Sequence, residues 1–177
     1  IYLIDQILKG RYLKEELILD AGCGTGRNLK WFYNNDYTLF GVDVNEEHIN
    51  YVKSYYNRLE ANFIVGTLDA LIYKPESFHL IICNAVLHFA KSETHFFDMF
   101  SELMRVLKPS GTLFIRMTSN FGIEDKVEEL SNGIYYLPDE SERFLLTPSI
   151  LETIKKRYTV EFIEPVKTLN VQDLRCM

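Results

Sequence analysis

Asp20, Gly22, Gly24 and Gly26 stand at alternate positions directly after Leu17-Ile18-Leu19, and Asp43 follows Gly22 by 21 residues. Glycines so spaced leave no Cβ in the way, so the backbone turns sharply and a ligand can lie against it. The N–H groups opening the next helix point into the same space. Asp20, two residues before the first glycine, repels a pyrophosphate and suits a ligand that carries an ammonium group. Asp43 falls at the end of the next strand, where a carboxylate can accept both hydroxyls of a ribose. Taken alone, the same residue is also what a solvated strand-end acid looks like. The dinucleotide fingerprint G-x-G-x-x-G needs a third glycine where this chain has Arg27, which argues against a nicotinamide cofactor.

The elements that position these residues follow from the hydrophobic pattern. Three successive apolar residues predict a first strand at about 17–21, buried on both faces. Tyr2, Leu3, Ile7 and Leu8 predict a short preceding helix that ends at Gly10-Arg11. A helix is predicted from Gly26 to Asn35, with Leu29 and Phe32 or Tyr33 inward, and a second strand at 38–43. Asn45 is a suitable N-cap for a third helix, with Glu46 and Glu47 in its first turn. Its buried face is Ile49, Val52, Tyr56 and Leu59. Strands three and four are expected at 62–66 and 78–83. Ser92 can cap the clearest amphipathic helix, with Phe96, Phe100, Leu103, Met104 and Leu107 inward. Lys108-Pro109-Ser110-Gly111 reads as the turn into strand five, at 112–117. Alternating strands and helices make the class α/β with a parallel sheet. Beyond this, residues 119–146 show only a weak helical patch near 124–130. Thr147-Pro148 opens a helix to about Arg157, and a sixth strand is expected at 159–163.

The D-x-G-x-G-x-G arrangement resembles motif I of the class I S-adenosylmethionine-dependent methyltransferases, and the resemblance runs from about residue 15 to 117. It implies a Rossmann-like, doubly wound, mostly parallel sheet of order 3-2-1-4-5-7-6, with strand seven missing or incomplete here. The cofactor implied is S-adenosylmethionine. Asp20 would lie near its methionine amino end, and Gly22, Cys23, Gly24 and Asn28 would form the turn beneath it. Asp43 and Val44 would meet the ribose side, Leu68-Asp69-Ala70 the adenine, and Asn84-Ala85 the sulfonium. Arg105 to Leu113 matches the family's turn into strand five, a structural signature.

The reaction implied is in-line displacement of methyl from a sulfonium, which asks the protein to hold acceptor and methyl collinear and to exclude water. A base is needed only for a nucleophile whose proton has a high pKa. His88, in the loop after strand four, has two readings: it takes that proton, or it lines and braces the cofactor pocket. The loop Asn84-Ala85-Val86-Leu87 lacks the Pro-Pro-aromatic of many amino-directed methyltransferases, which leaves a small-molecule acceptor as the default.

The chain has 177 residues, 47% hydrophobic and 25% charged, with net charge −6. This is the composition of a soluble globular protein. Without a Lys/Arg run the charge counts against a nucleic-acid partner. No apolar run reaches membrane-spanning length. Cys23, Cys83 and Cys176 are isolated, which fits a reducing, cytoplasmic setting and neither disulfides nor zinc. Cys23 is either a reactive thiol or a small residue filling tight space. His48 and His79 have the flanks of surface residues, His95 falls on the exposed side of its helix, and the four histidines show no metal-ligand spacing. One domain is expected over 1–177, as monomer or homodimer. Within it 119–146, with Tyr135, Tyr136 and Arg143, is expected as an acceptor-side insertion or lid, against the alternative of a plain surface excursion. Two rival classes stand beside the methyltransferase: a nicotinamide oxidoreductase and a non-catalytic cofactor-binding module. The resemblance also implies helices before strand one, of which only about sixteen residues are present, and a strand seven that 164–177 does not supply, so the natural protein is expected to extend beyond both ends, by roughly one strand past Met177 unless a neighbouring chain fills that gap.

Overall fold

The computed structural model of the chain describes residues 2–172 and 174–177, and only the backbone of Arg175; Ile1 and Asp173 lie outside the described residues. The chain forms two compact units, Ile1–Asn84 with Phe97–Ile115, and Ala85–Phe96 with Arg116–Met177.

The first unit is built on a sheet of β1 (Leu17–Ala21), β2 (Thr38–Asp43), β3 (Phe63–Val65), β4 (Phe78–Asn84) and β5 (Leu107–Arg116), in the order β3-β2-β1-β4-β5. Strand β1 pairs in parallel with both β2 and β4, and β2 with β3. Its apolar run explains the central place: Ile18 and Leu19 are fully buried, as are Leu80, Ile81 and Ile82 beside them on β4. Helices α1 (Tyr2–Leu8), α2 (Lys30–Asn34) and α3 (Glu46–Tyr55) and most of α4 (Glu93–Val106) complete the unit. Asn45 caps α3, its side chain accepting the His48 N–H at 3.1 Å. Ile49, Val52 and Tyr56 are buried as expected, while Leu59 is only partly so.

Helix α2 is shorter than the predicted 26–35. Gly26 sits at φ +75° and donates its N–H back to the Cys23 carbonyl at 2.8 Å, so the chain is still turning where the helix was expected to begin. A Cβ at Gly26 would lie 2.4 Å from a Tyr56 ring carbon, and the Tyr56 hydroxyl donates to the Gly26 carbonyl at 2.7 Å. Tyr56 thus clamps the glycine turn from α3. Residues 108–111, expected as a free turn, belong to β5, with Ser110 at φ +62°.

The second unit holds a structure the hydrophobic pattern missed. Strands β6 (Glu128–Ser131), β7 (Ile134–Tyr136) and β8 (Glu142–Phe144) form an antiparallel sheet in place of the expected irregular segment and weak helix. Asn132 and Gly133, at φ +53° and +82°, make the β6–β7 turn. Phe144 stacks on Phe96, with ring centroids 4.8 Å apart. Helix α5 (Pro148–Arg157) starts as predicted, Thr147 accepting the Ile150 N–H.

The sixth strand, expected at 159–163, does not form: Phe162 and Ile163 are 42% and 53% exposed. Apolar–polar alternation makes a strand only when a neighbour takes its hydrogen bonds, and none of the described strands pairs with 159–163. The order 3-2-1-4-5-7-6 is therefore met only as far as 3-2-1-4-5 among the described residues. The last residues pair among themselves, β9 (Asn170–Val171) with β10 (Arg175–Cys176), and the Cys176 carbonyl accepts the Ser119 N–H at 2.8 Å.

Candidate functional site

The carboxyl ends of β1 and β2 meet at the glycine turn. The Val42 carbonyl accepts the N–H groups of Gly22 and Cys23 at 2.8 and 3.0 Å, which ties the turn to β2. Asp43 closes it from the same strand: Oδ2 accepts the Gly24 N–H at 2.8 Å and Oδ1 the Asn45 N–H at 2.9 Å. Each carboxylate oxygen has two lone pairs, so Asp43 keeps acceptor capacity for two hydroxyls. A Cβ at Gly24 would meet nothing within 4 Å; the space over the turn is open. Val44, the next residue, is 68% exposed, and His48 places Nδ1 3.5 Å from Asp43 Oδ1.

Asp20 is set deeper than the sequence implied. It is completely buried, and both of its oxygens lie 3.3 Å from Asn28 Nδ2. Asn28 Oδ1 in turn accepts from Asn84 Nδ2 at 2.9 Å. The line Asp20–Asn28–Asn84 ends on Asn84 Oδ1, which is buried without a hydrogen-bond partner among the described residues. Such an acceptor is costly unless a donor reaches it. Burial pushes the Asp20 carboxyl up to about 7, helped by the charge of Asp43 and opposed by the Asn28 hydrogen bond and Arg27. Cys23 is buried against Gly41, and burial pushes its thiol up, as do Asp20 and Asp43. The geometry favours the space-filling reading, since a thiolate is the reactive form.

Leu68 is buried, with Asp69 and Ala70 exposed beside it. Their loop is fixed by a clamp that sequence reading took only as a signature. Arg105 donates to the carbonyls of Leu71 and Tyr73, each at 2.8 Å, and pairs with Glu102 at 2.6 Å, while Glu102 Oε2 accepts the Leu71 N–H at 2.8 Å. Replacing Arg105 with Ala strands Glu102 and two carbonyls. It is expected to destabilise the protein by roughly 1.5–3 kcal/mol, read by urea denaturation; an unchanged midpoint would show the clamp to be idle.

Ala85 and His88, the remaining expected residues, belong to the second unit. Ala85 takes φ +64°, a strained value for a residue with a Cβ. His88 is 6% exposed, in a 3-10 turn over Leu87–Phe89. Its Nδ1 accepts the Thr118 N–H at 3.3 Å and lies 3.0 Å from the Thr118 hydroxyl. A main-chain N–H can only donate, so Nδ1 is the acceptor and the ring proton is on Nε2. This favours the bracing reading of His88. Both residues line a cavity of about 320 Å³, with Arg116, Thr118, Asp139 and Arg143 on its polar side. Of Tyr135, Tyr136 and Arg143, only Arg143 is part of the wall of this cavity.

The family model of the methyltransferase domain matches residues 19–115, the stretch that carries the glycine turn, Asp43, Asp69 and the Arg105 clamp. The chain belongs to the class I S-adenosylmethionine-dependent methyltransferases. Among curated relatives, the uncharacterized methyltransferase YodH of Bacillus subtilis (strain 168) is 31% identical over 101 residues, covering 56% of this chain and 42% of YodH. The chain thus spans under half the length of that relative. A SAM-dependent methyltransferase from Methanosarcina mazei superposes with a TM-score of 0.75 at 20% identity, covering 96% of this chain and 93% of that one. The PH0226 protein of Pyrococcus horikoshii OT3 gives 0.70 at 20% identity, covering 99% and 86%. At such identities these likenesses show the fold.

The cofactor of this methyltransferase domain is S-adenosylmethionine, and the residues present fit it: an open turn at Gly24, a strand-end carboxylate and an orphaned acceptor on Asn84. Two further sequence expectations are corrected. His79 is no surface histidine: it is half-buried, and its Nδ1 accepts the Leu17 N–H at 3.0 Å. His95 is also half-buried, and its Nδ1 accepts the Lys91 N–H at 3.1 Å. No group of metal-ligating side chains occurs among the described residues, and no helix there is long and apolar enough to cross a membrane.

Proposed function

We propose that the protein is an enzyme that transfers a methyl group from S-adenosylmethionine to a small-molecule acceptor. The reading is carried by Asp43, which holds the glycine turn in shape and retains lone pairs at its open side. Asp43 would hold the ribose, the exposed Val44 and the Leu68–Ala70 loop the adenine, and Asn28 and Asn84 the amino-acid end, with Asp20 behind them. When bound, the cofactor supplies an electrophilic methyl on a sulfonium. This chain's residues position the acceptor and exclude water, and His88 braces the acceptor side through Thr118. The cavity of the second unit, about 320 Å³, is of a size for a small molecule.

Calorimetric titration with S-adenosylhomocysteine, S-adenosylmethionine and NAD tests this reading. Saturable binding of the two adenosyl ligands, and none of NAD, is the expected result. Absence of heat or competition at about 1 mM adenosyl ligand would overturn it, as would tight binding of NAD, which would restore the oxidoreductase.

A further inference from the structure

The cavity of the second unit collects positive charge within an acidic chain of net charge −6. Arg116 and Arg143 are both half-buried in its wall. Among the described residues neither guanidinium is paired with a carboxylate: Arg143 donates only to the Glu142 carbonyl, at 2.6 Å, and Arg116 has no side-chain partner. A guanidinium carries five N–H donors in a planar fork that matches a carboxylate bidentately. Two such forks facing one concave space, without an anion of their own, are donors awaiting an acceptor.

The other polar groups of the wall do not supply it. Asp139 is the acid of the wall: its Oδ1 accepts the Ser141 N–H at 3.2 Å and the Ser141 hydroxyl at 2.5 Å, and among the described residues it forms no ion pair with Arg116 or Arg143. His88 has its Nδ1 occupied by Thr118, which leaves the ring a donor on its other nitrogen. Arg143 is also held in place: its Cζ lies 5.0 Å from the centroid of the Phe89 ring. A side chain fixed beforehand loses little freedom when it binds. Phe89, Leu137 and Met177 give the same cavity an apolar wall, with Phe89 60% exposed. An inorganic ion would leave that wall unused.

We propose that this cavity binds a small carboxylic acid with an apolar body, its carboxylate gripped by Arg116 and Arg143. The proposal rests on the reading of the chain as a methyltransferase of small molecules, and it names the chemical class of that acceptor.

The test titrates the protein, with and without S-adenosylhomocysteine, with benzoate and hexanoate, and in parallel with benzamide, hexanamide and hexyl phosphate. The acids are expected to bind at least about tenfold more tightly than their amides, which keep the body and lose the charge. Arg116→Gln and Arg143→Gln are each expected to lower the affinity for the acids about tenfold, with binding of S-adenosylhomocysteine unchanged. Arg116→Lys, which keeps the charge without the fork, should fall between. The comparison of acid with amide needs no variant, so it stands if a substitution fails to fold. Equal binding of acid and amide, no binding of either acid at about 10 mM, or tighter binding of hexyl phosphate would each overturn the proposal. Binding of S-adenosylhomocysteine without binding of the acids sinks this inference alone. Binding of the acids without S-adenosylhomocysteine sinks the methyltransferase reading and leaves the acid site standing.

Discussion

Asp43→Ala is expected to weaken binding of S-adenosylhomocysteine by about 30-fold to 10³-fold. Two charge-assisted hydrogen bonds to ribose hydroxyls together contribute roughly 2–4 kcal/mol, which converts to that range of dissociation constants. The substitution also frees the N–H groups of Gly24 and Asn45, which Asp43 now accepts at 2.8 and 2.9 Å. Part of the loss therefore comes from a turn that no longer holds its shape. Asp43→Asn separates the two parts. One amide oxygen still accepts one of the N–H groups, while the amide nitrogen opposes the other. Calorimetry on both variants, with denaturation midpoints alongside, gives the division. A change in affinity below about threefold for Asp43→Ala would remove Asp43 from the ligand site.

The second large effect concerns pH. Asp20 is fully buried and its carboxyl is pushed up to about 7 from an ordinary 3.8, first by burial. The folded protein therefore binds this proton more tightly than the unfolded chain does. Between about pH 4 and pH 7 the native state carries more protons, so stability from this group falls as pH rises through that window and levels off above it. The total change is on the order of 4 kcal/mol. Asp20→Asn keeps a neutral group of the same shape that Asn28 can still contact, and is expected to remove this part of the slope. At pH 8 the variant should be the more stable protein, by an amount that shrinks toward pH 5. Urea denaturation of both proteins across that range decides it; parallel profiles would mean that Asp20 is not titrating in the fold.

The legible parts of this chain were those where a local pattern and its tertiary use coincide. Leu17-Ile18-Leu19 reads as a buried strand because both faces of β1 are covered, and Asn45, Ser92 and Thr147 read as caps because each bonds within its own first turn. The turn at Gly22–Gly26 was legible as a sharp turn after β1, but the depth of Asp20 beside it was not. Nothing in D-x-G-x-G-x-G says that Asp20 is fully buried behind Asn28, since that depends on Asn84, 56 residues further on. The β6–β7 hairpin carried a sequence signal in Asn132-Gly133, a dipeptide suited to a two-residue turn with positive φ at both positions. It was masked because β6 is exposed along its whole length, so no apolar alternation flanks the turn. The strand expected at 159–163 is the converse case: the pattern is present, and among the described residues a pairing strand is not. Arg143 was singled out in its segment, but its companion Arg116 escaped, because the two lie far apart in sequence, on β8 and β5, with no motif to join them.

The interleaved division of the chain has a consequence for how the protein is made. The first unit is drawn from residues up to Ile115, whereas the second combines Ala85–Phe96 with residues from Arg116 onward. Synthesis runs from the amino end at about 5–20 residues per second, so the residues of the first unit leave the ribosome before the second unit is complete. Segment 85–96 is already outside by then, but it waits for partners not yet translated. Phe96 is without its stacking partner until Phe144 emerges, and the Ser119 N–H without its acceptor until Cys176 does. During that interval a ligand that binds the first unit alone would already stabilise it by mass action, before the cavity of the second unit exists.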